Sequence, residues 1–142
     1  MMDLKRETLV IVPTYNESKN VSNLLNLFVE SSFDVLIVDD NSPDGTSEIV
    51  KNYILEYSNI NLLERSGKLG LGSAYRDGFN WALERGYKSI VEMDADFSHS
   101  FSDLSNLDNY KKDYDLVIGS RYVSGGKTEG WSRGRKLLST TA

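Results

Sequence analysis

The sequence predicts an open, mostly parallel α/β sheet with helices on both faces. Three observations point there. Short, continuous apolar runs alternate along the chain with stretches of helical spacing. Runs such as Leu9-Val10-Ile11-Val12 and Val35-Leu36-Ile37-Val38 lack polar alternation, which suits strands buried on both faces. Polar motifs follow these runs directly, and sheets of this class bind ligands beyond the carboxyl ends of their strands.

Each element has its own signal. Leu9 to Val12 reads as a buried strand ending at Pro13. Ser18 is the expected N-cap of a first helix, whose buried face is Val21, Leu24, Leu25 and Phe28. Val35 to Val38 is the second strand and runs into Asp39-Asp40. Asn41-Ser42-Pro43-Asp44-Gly45 is turn chemistry. Ile49, Val50, Tyr53 and Tyr57 mark a second helix face, and Ile60 to Leu63 a short third strand. Leu71 to Glu84 is a third helix closed by Gly86. Ser89 to Met93 is a fourth strand, Phe101 to Lys111 is weakly helical, and Leu116-Val117-Ile118 reads as a fifth strand before Gly119-Ser120-Arg121. A last helical pattern starts at Arg133, and nothing in the sequence closes it, so the domain spanning residues 1–142 is expected to be incomplete at its C-terminus.

Composition narrows the function classes. At 142 residues and 39% apolar content, one domain with an ordinary core is expected. A formal net charge of −5 does not favour nucleic-acid binding. The charge is uneven: residues from Arg121 onward carry +4 and the rest −9, which suits a metal at one place and a phosphate at another. The plain alternative is a charged C-terminal surface. The absence of cysteine excludes disulfides and thiolate metal sites. No N-terminal leader and no run of the ~18 apolar residues that span a bilayer is visible, so membrane contact is expected to be peripheral or to lie beyond this chain.

Several motifs and single residues are candidates for chemistry. Asp94-Ala95-Asp96 follows a buried strand, and two carboxylates one residue apart there suit a hard divalent cation shared with a diphosphate. The alternative is a solvated acidic turn. Asp39-Asp40 offers acceptors to a base or ribose, or else a charge pair at a helix start with Asp44 and Thr46 as caps. The segment Ser66-Gly67-Lys68-Leu69-Gly70-Leu71-Gly72-Ser73 matches neither the triphosphate loop nor the dinucleotide fingerprint, and reads as a loop leading into a helix near a nucleotide. His99 stands alone, which leaves a histidine metal centre or nucleophilic triad without support; it is expected in a loop near Asp96. Trp81 and Trp131 read as core or interface residues before sugar platforms.

Together these stretches resemble the family 2 glycosyltransferases, and within them the dolichol-phosphate (polyprenol-phosphate) mannosyltransferases. The matching segments are Val12–Glu17, Val38–Thr46, Lys68–Phe79, Met93–His99, Gly119–Gly126 and Gly130–Ser139, six in the family's order. The resemblance implies a GT-A fold, a donor of the GDP-mannose kind, a divalent metal (Mg2+ or Mn2+), a polyprenyl or dolichyl phosphate acceptor and work at the cytoplasmic face of a membrane. It implies a first nucleotide-binding loop at Pro13, Tyr15 and Glu17, and base and ribose contacts at Val38 and Asp40. It implies a diphosphate segment at Asp94, Ala95 and Asp96, with Asp94, Asp96 and Ser98 on the metal. Arg121 and Arg135, with Ser139 beside them, would hold phosphate, and Asp96, Arg121 and Arg135 would carry catalysis. Position 98 is Ser where many relatives have Gln and others Ser, and Ser100 and Phe101 stand where prolines are usual. Related enzymes with another donor, such as UDP-glucose, and a non-catalytic nucleotide-sugar binder are the alternatives.

Overall fold

The computed structural model describes residues 6–120, 122–126, 132 and 139. Four strands form one parallel sheet: β1 (Thr8–Thr14), β2 (Asp34–Asp39), β3 (Ile60–Glu64) and β4 (Ser89–Glu92), in the spatial order β3-β2-β1-β4. The helices between and after them are α1 (Val21–Phe28), α2 (Thr46–Ile54), α3 (Leu71–Glu84) and α4 (Phe101–Asn109), the last followed by a 3-10 turn at Tyr110–Lys112.

Side chains of β1 and β2 alternate between two cores. Val10, Val12, Val35 and Ile37 pack with Val21, Leu24, Leu25 and Phe28 of α1, Val50 of α2 and Leu104 of α4. Leu9, Ile11, Leu36 and Val38 face the other way, onto Ala74 and Ala82 of α3. Strands covered on both faces have no solvent side, which is why their sequence reads as unbroken apolar runs. The chain builds outward from β1 to β2 and β3, then returns across to β4 on the other side of β1. Parallel crossovers are right-handed, so reversing direction moves the connecting helix α3 to the opposite face.

α3 approaches β1 closely. A methyl group at Gly78 would stand 2.7 Å from Cγ2 of Ile11. The helix ends as expected: Gly86 has φ +72, its N–H reaches the Leu83 carbonyl, and the Tyr87 N–H reaches the Ala82 carbonyl. That is the paired closure of a Schellman motif.

Two expectations are corrected. Ser18 does not cap α1, whose N-cap is Asn20 without a side-chain bond. A backbone turn on the Glu17 carbonyl starts the helix instead, and the Ser18 N–H donates to Asp44. Nor do Leu116–Ile118 form a strand: Leu116 is 75% and Ile118 74% exposed. Apolar residues alone do not make a strand; a neighbouring edge must satisfy the backbone, and these residues pair with none of the four strands. The helical pattern from Arg133 falls outside the described residues except for Ser139, which is helical.

Candidate functional site

In the order β3-β2-β1-β4, the direction of winding reverses between β1 and β4, and the crevice at the carboxyl ends of those two strands is the ligand position of such sheets. The loop after β1 carries Tyr15, Asn16 and Glu17. The residues after β4 are Met93, Asp94, Ala95 and Asp96. The Met93 N–H still bonds the Ile11 carbonyl, so Asp94 leaves the sheet directly beside β1. β2 lies on the other flank of β1, and the loops beginning at Asp40 and Asp94 start about 10 Å apart across it. Tyr15, Glu17, Asp40 and Asp94 thus gather at one end of the sheet.

Asp39 and Asp40 do different work. Asp39 is fully buried; its carboxylate accepts from Thr14 Oγ1, Ser42 N, Ser42 Oγ and Ser47 Oγ at 2.7–2.8 Å. It joins the end of β1 to the start of α2. Asp40 is also buried. Its Oδ1 accepts from Arg65 Nη1 at 2.7 Å, and its Oδ2 accepts from the backbone N–H groups of Leu69 at 2.9 Å and Gly70 at 3.3 Å. Arg65, at the end of β3, is 4% exposed at its side chain and also reaches Ser73 Oγ. Its Nε faces Asp77 Oδ2 at 3.1 Å without the alignment of a hydrogen bond. Asp40 is thus the hub that fastens the glycine-rich loop to the sheet. The Val38 side chain lies in the core beneath α3, so only its backbone faces the carboxyl edge.

The first loop is stitched to the second. Asn16 N donates to Ser42 Oγ, Glu17 N to Thr46 Oγ1, and Ser18 N to Asp44 Oδ2. Thr46 N and Oγ1 both donate to Asp44 Oδ1. Burial by itself raises the Asp44 carboxyl, yet the bonds from Thr46 and Ser18 outweigh it and bring it down to about 2. One Glu17 oxygen accepts from Asn20 Nδ2 at 2.8 Å. Tyr15 is half-exposed, with the Lys68 ammonium 4.3 Å from its ring centroid.

The loop after β4 is more open. Asp94 is half-buried, Ala95 buried, and Asp96 through Ser100 exposed. Tyr75 of α3 donates a long 3.4 Å hydrogen bond to Asp94 Oδ1. Burial, and then the Asp94 charge, push the Tyr75 hydroxyl upward, so it stays protonated as a donor. The Ser98 hydroxyl and then its N–H, at 2.9 Å, hold the Asp96 carboxyl below its ordinary value, with His99 adding to the effect. The Nδ1 of His99 accepts from Asp94 N at 3.3 Å. Phe97, between them, has φ +59, a region bulky residues seldom occupy.

The donor chemistry fits a hard divalent cation in part. Asp94 and Asp96 supply carboxylate oxygens at an open strand end, and such ions take one or two carboxylates with substrate phosphates completing the shell. Among the described residues, no group of three acidic, histidine or cysteine side chains forms a closed cage.

Arg121, Trp131 and Arg135 lie outside the described residues. Ser139 is described: the Tyr122 hydroxyl bonds both its carbonyl and its hydroxyl. Trp81 is packed in the α3 core, stacked on Tyr87 with Arg85 over its ring. Concavities of about 510 Å³, near Tyr57 and Phe101, and 390 Å³, behind Arg65 and Trp81, lie away from the crevice. Sequence reasoning assigned no individual role to Arg65, Lys68 or Tyr75, although Lys68 lies in the segment expected near a nucleotide. Position after a strand marks Arg65; nothing local marks Tyr75, which reaches Asp94 only because α3 lies across the sheet.

Residues 9–141 match Glycosyl transferase family 2. The chain is 44% identical over 141 residues to a polyprenol monophosphomannose synthase from Mycolicibacterium smegmatis, covering 96% of this chain and 53% of that protein. It is 46% identical over 133 residues to an undecaprenyl-phosphate mannosyltransferase from Micrococcus luteus, covering 92% and 55%. To a dolichol-phosphate mannosyltransferase from Pyrococcus furiosus it is 38% identical over 138 residues, covering 94% and 38%. The chain thus spans about half the length of the first two relatives and less of the third. Among solved structures, a mannosyltransferase from Pyrobaculum calidifontis in complex with GDP-Man and Mn2+ superposes with a TM-score of 0.59 at 27% identity, covering 75% of this chain and 32% of that one. The parallel sheet agrees with these matches, and the chain belongs to glycosyl transferase family 2.

Proposed function

We propose that this chain forms the donor side of a glycosyltransferase that moves mannose from GDP-mannose to a polyprenyl or dolichyl phosphate. One observation carries the reading: the Tyr15–Glu17 loop and the Asp94–Asp96 segment follow the carboxyl ends of the neighbouring strands β1 and β4, on either side of the switch point, in a chain whose relatives are named for mannosyl transfer to such lipids. The structural neighbour with GDP-Man and Mn2+ supports both the donor and the metal.

In this reading, Tyr15 and Glu17 receive the nucleoside, with the backbone at Val38 beside it and Pro13 setting the path of the loop. Asp94, Asp96 and Ser98 would hold a divalent cation, which offsets charge on the departing nucleoside diphosphate. Ala95, between the two carboxylates in sequence, is buried in the core and anchors the segment there. Tyr75 contacts Asp94, and the bonds from Ser98 favour the ionised form of Asp96. The acceptor phosphate is already anionic at neutral pH, so transfer with inversion requires positioning and charge stabilisation more than a strong base. Arg121 and Arg135 would hold that phosphate through the guanidinium fork, with Ser139 beside them.

No helix among the described residues is long and apolar enough to cross a membrane. We infer that the lipid phosphate is met at the cytoplasmic membrane surface. Calorimetric titration with GDP-mannose and with UDP-glucose, each with and without Mn2+, tests the donor; preference for UDP-glucose would reassign it. Transfer of labelled mannose to undecaprenyl phosphate tests catalysis, and donor binding without turnover would leave a binding module.

A further inference from the structure

We propose that Lys68, on the glycine-rich loop between β3 and α3, is the cation that meets the diphosphate of the nucleotide donor. The inference rests on the reading that the crevice binds a nucleoside diphosphate sugar.

Lys68 is exposed, and its ammonium stands over the exposed ring of Tyr15, the first side chain beyond β1. It forms no ion pair among the described residues. Among the described residues, the other basic groups nearby are committed or unanchored: Arg65 is buried against Asp40 and Asp77, Arg76 faces Asp77, and Lys19, in the turn before α1, has no comparable anchor. An ammonium carries three donors, so one resting on an aromatic face keeps N–H groups for an anion.

The loop places this charge deliberately. Immediately after Lys68, the N–H groups of Leu69 and Gly70 are held by Asp40 Oδ2, and the Gly70 carbonyl accepts from Arg65. Ser73 Oγ donates to the carbonyls of Leu69 and Gly70 at 2.8 Å. Gly70 has φ +97 and ψ 154, a conformation essentially confined to glycine, so the path that returns Lys68 over Tyr15 depends on that residue. A buried carboxylate just beyond β2 thus aims an exposed ammonium toward the loop of β1. The acidic body of the chain otherwise repels a diphosphate. Among the described residues, the Lys68 ammonium beside the nucleoside loop supplies attraction that Asp94 and Asp96 lack until a metal is bound.

The test is GDP affinity, by calorimetry with Mn2+ present, for the unmodified chain, Lys68→Ala and Lys68→Arg. Lys68→Ala is expected to weaken GDP about tenfold, with the difference shrinking as salt is raised, while Lys68→Arg stays within about threefold. Guanosine, which has no phosphate, should bind both chains equally. Unchanged GDP affinity in Lys68→Ala overturns the proposal. An equal loss for guanosine overturns it in favour of a base contact. Unchanged GDP affinity with a raised KM for undecaprenyl phosphate would move the cation to the acceptor. If the unmodified chain binds no GDP at all, the functional reading fails first and the proposal with it.

Discussion

The two loop systems at the carboxyl edge are built differently. On the β2 side, the loops after β1, β2 and β3 are cross-linked over long sequence separations through Asp39, Asp40, Asp44 and Arg65. On the β4 side, the Asp94–Ser100 loop is tied mostly to itself: Ser98 to Asp96, and Asp94 to His99, with Tyr75 as the distant contact. The first system is shaped before any ligand arrives. The second leaves carboxylate oxygens open, which suits the proposed cation and diphosphate. Preorganisation belongs where shape is recognised, and open coordination where charge is managed.

Substitutions can break this contrast. Asp40→Ala should be the most damaging on the β2 side, because it leaves Arg65 buried with Asp77 alone and frees the glycine-rich loop. A loss of about 3 kcal/mol in urea unfolding is expected. A loss under 1 kcal/mol would mean that the loop does not depend on this hub. On the β4 side, Asp96→Asn should leave the urea midpoint nearly unchanged while weakening Mn2+-dependent GDP-mannose binding on the order of a hundredfold. If stability fell and metal dependence stayed, the roles of the two loops would be reversed.

Gly78→Ala probes the frame beneath both. The added methyl meets Ile11, whose β-branched side chain has little freedom to turn away, and about 1–2 kcal/mol should be lost. Thermal unfolding measures it, and an unchanged midpoint would show that α3 can lift from β1.

Asp44→Asn is the mildest change, at about 1 kcal/mol near neutral pH. Its sign with pH is definite. The Asp44 carboxyl is depressed from 3.8 to about 2 in the fold, so its stabilisation is complete above the unfolded value and fades as pH falls from about 4 to 2. The gap between parent and variant in acid unfolding should close over that window. A constant gap would mean that the charge of Asp44 contributes nothing.

Apolar runs buried on both faces made the parallel sheet legible before any coordinates. Turn chemistry and a glycine after the last helical position marked α3 with both of its ends. Asp94-Ala95-Asp96 could be read as a site because it follows a strand. Other features were out of reach of local pattern. Leu116–Ile118 has strand composition, but a strand exists only where a neighbour supplies backbone partners. Asp39 and Asp40 are adjacent and chemically identical, yet one is consumed between β1 and α2 and the other holds Arg65 and the glycine-rich loop. Successive side chains at a strand end diverge, so their partners come from different elements. Periodicity along the chain determined which segments are strands and helices. Only the folding of α3 across the sheet decided that Tyr75 faces Asp94, and only the loop held by Asp40 decided that Lys68 lies over Tyr15, because those contacts join residues that no sequence window contains together.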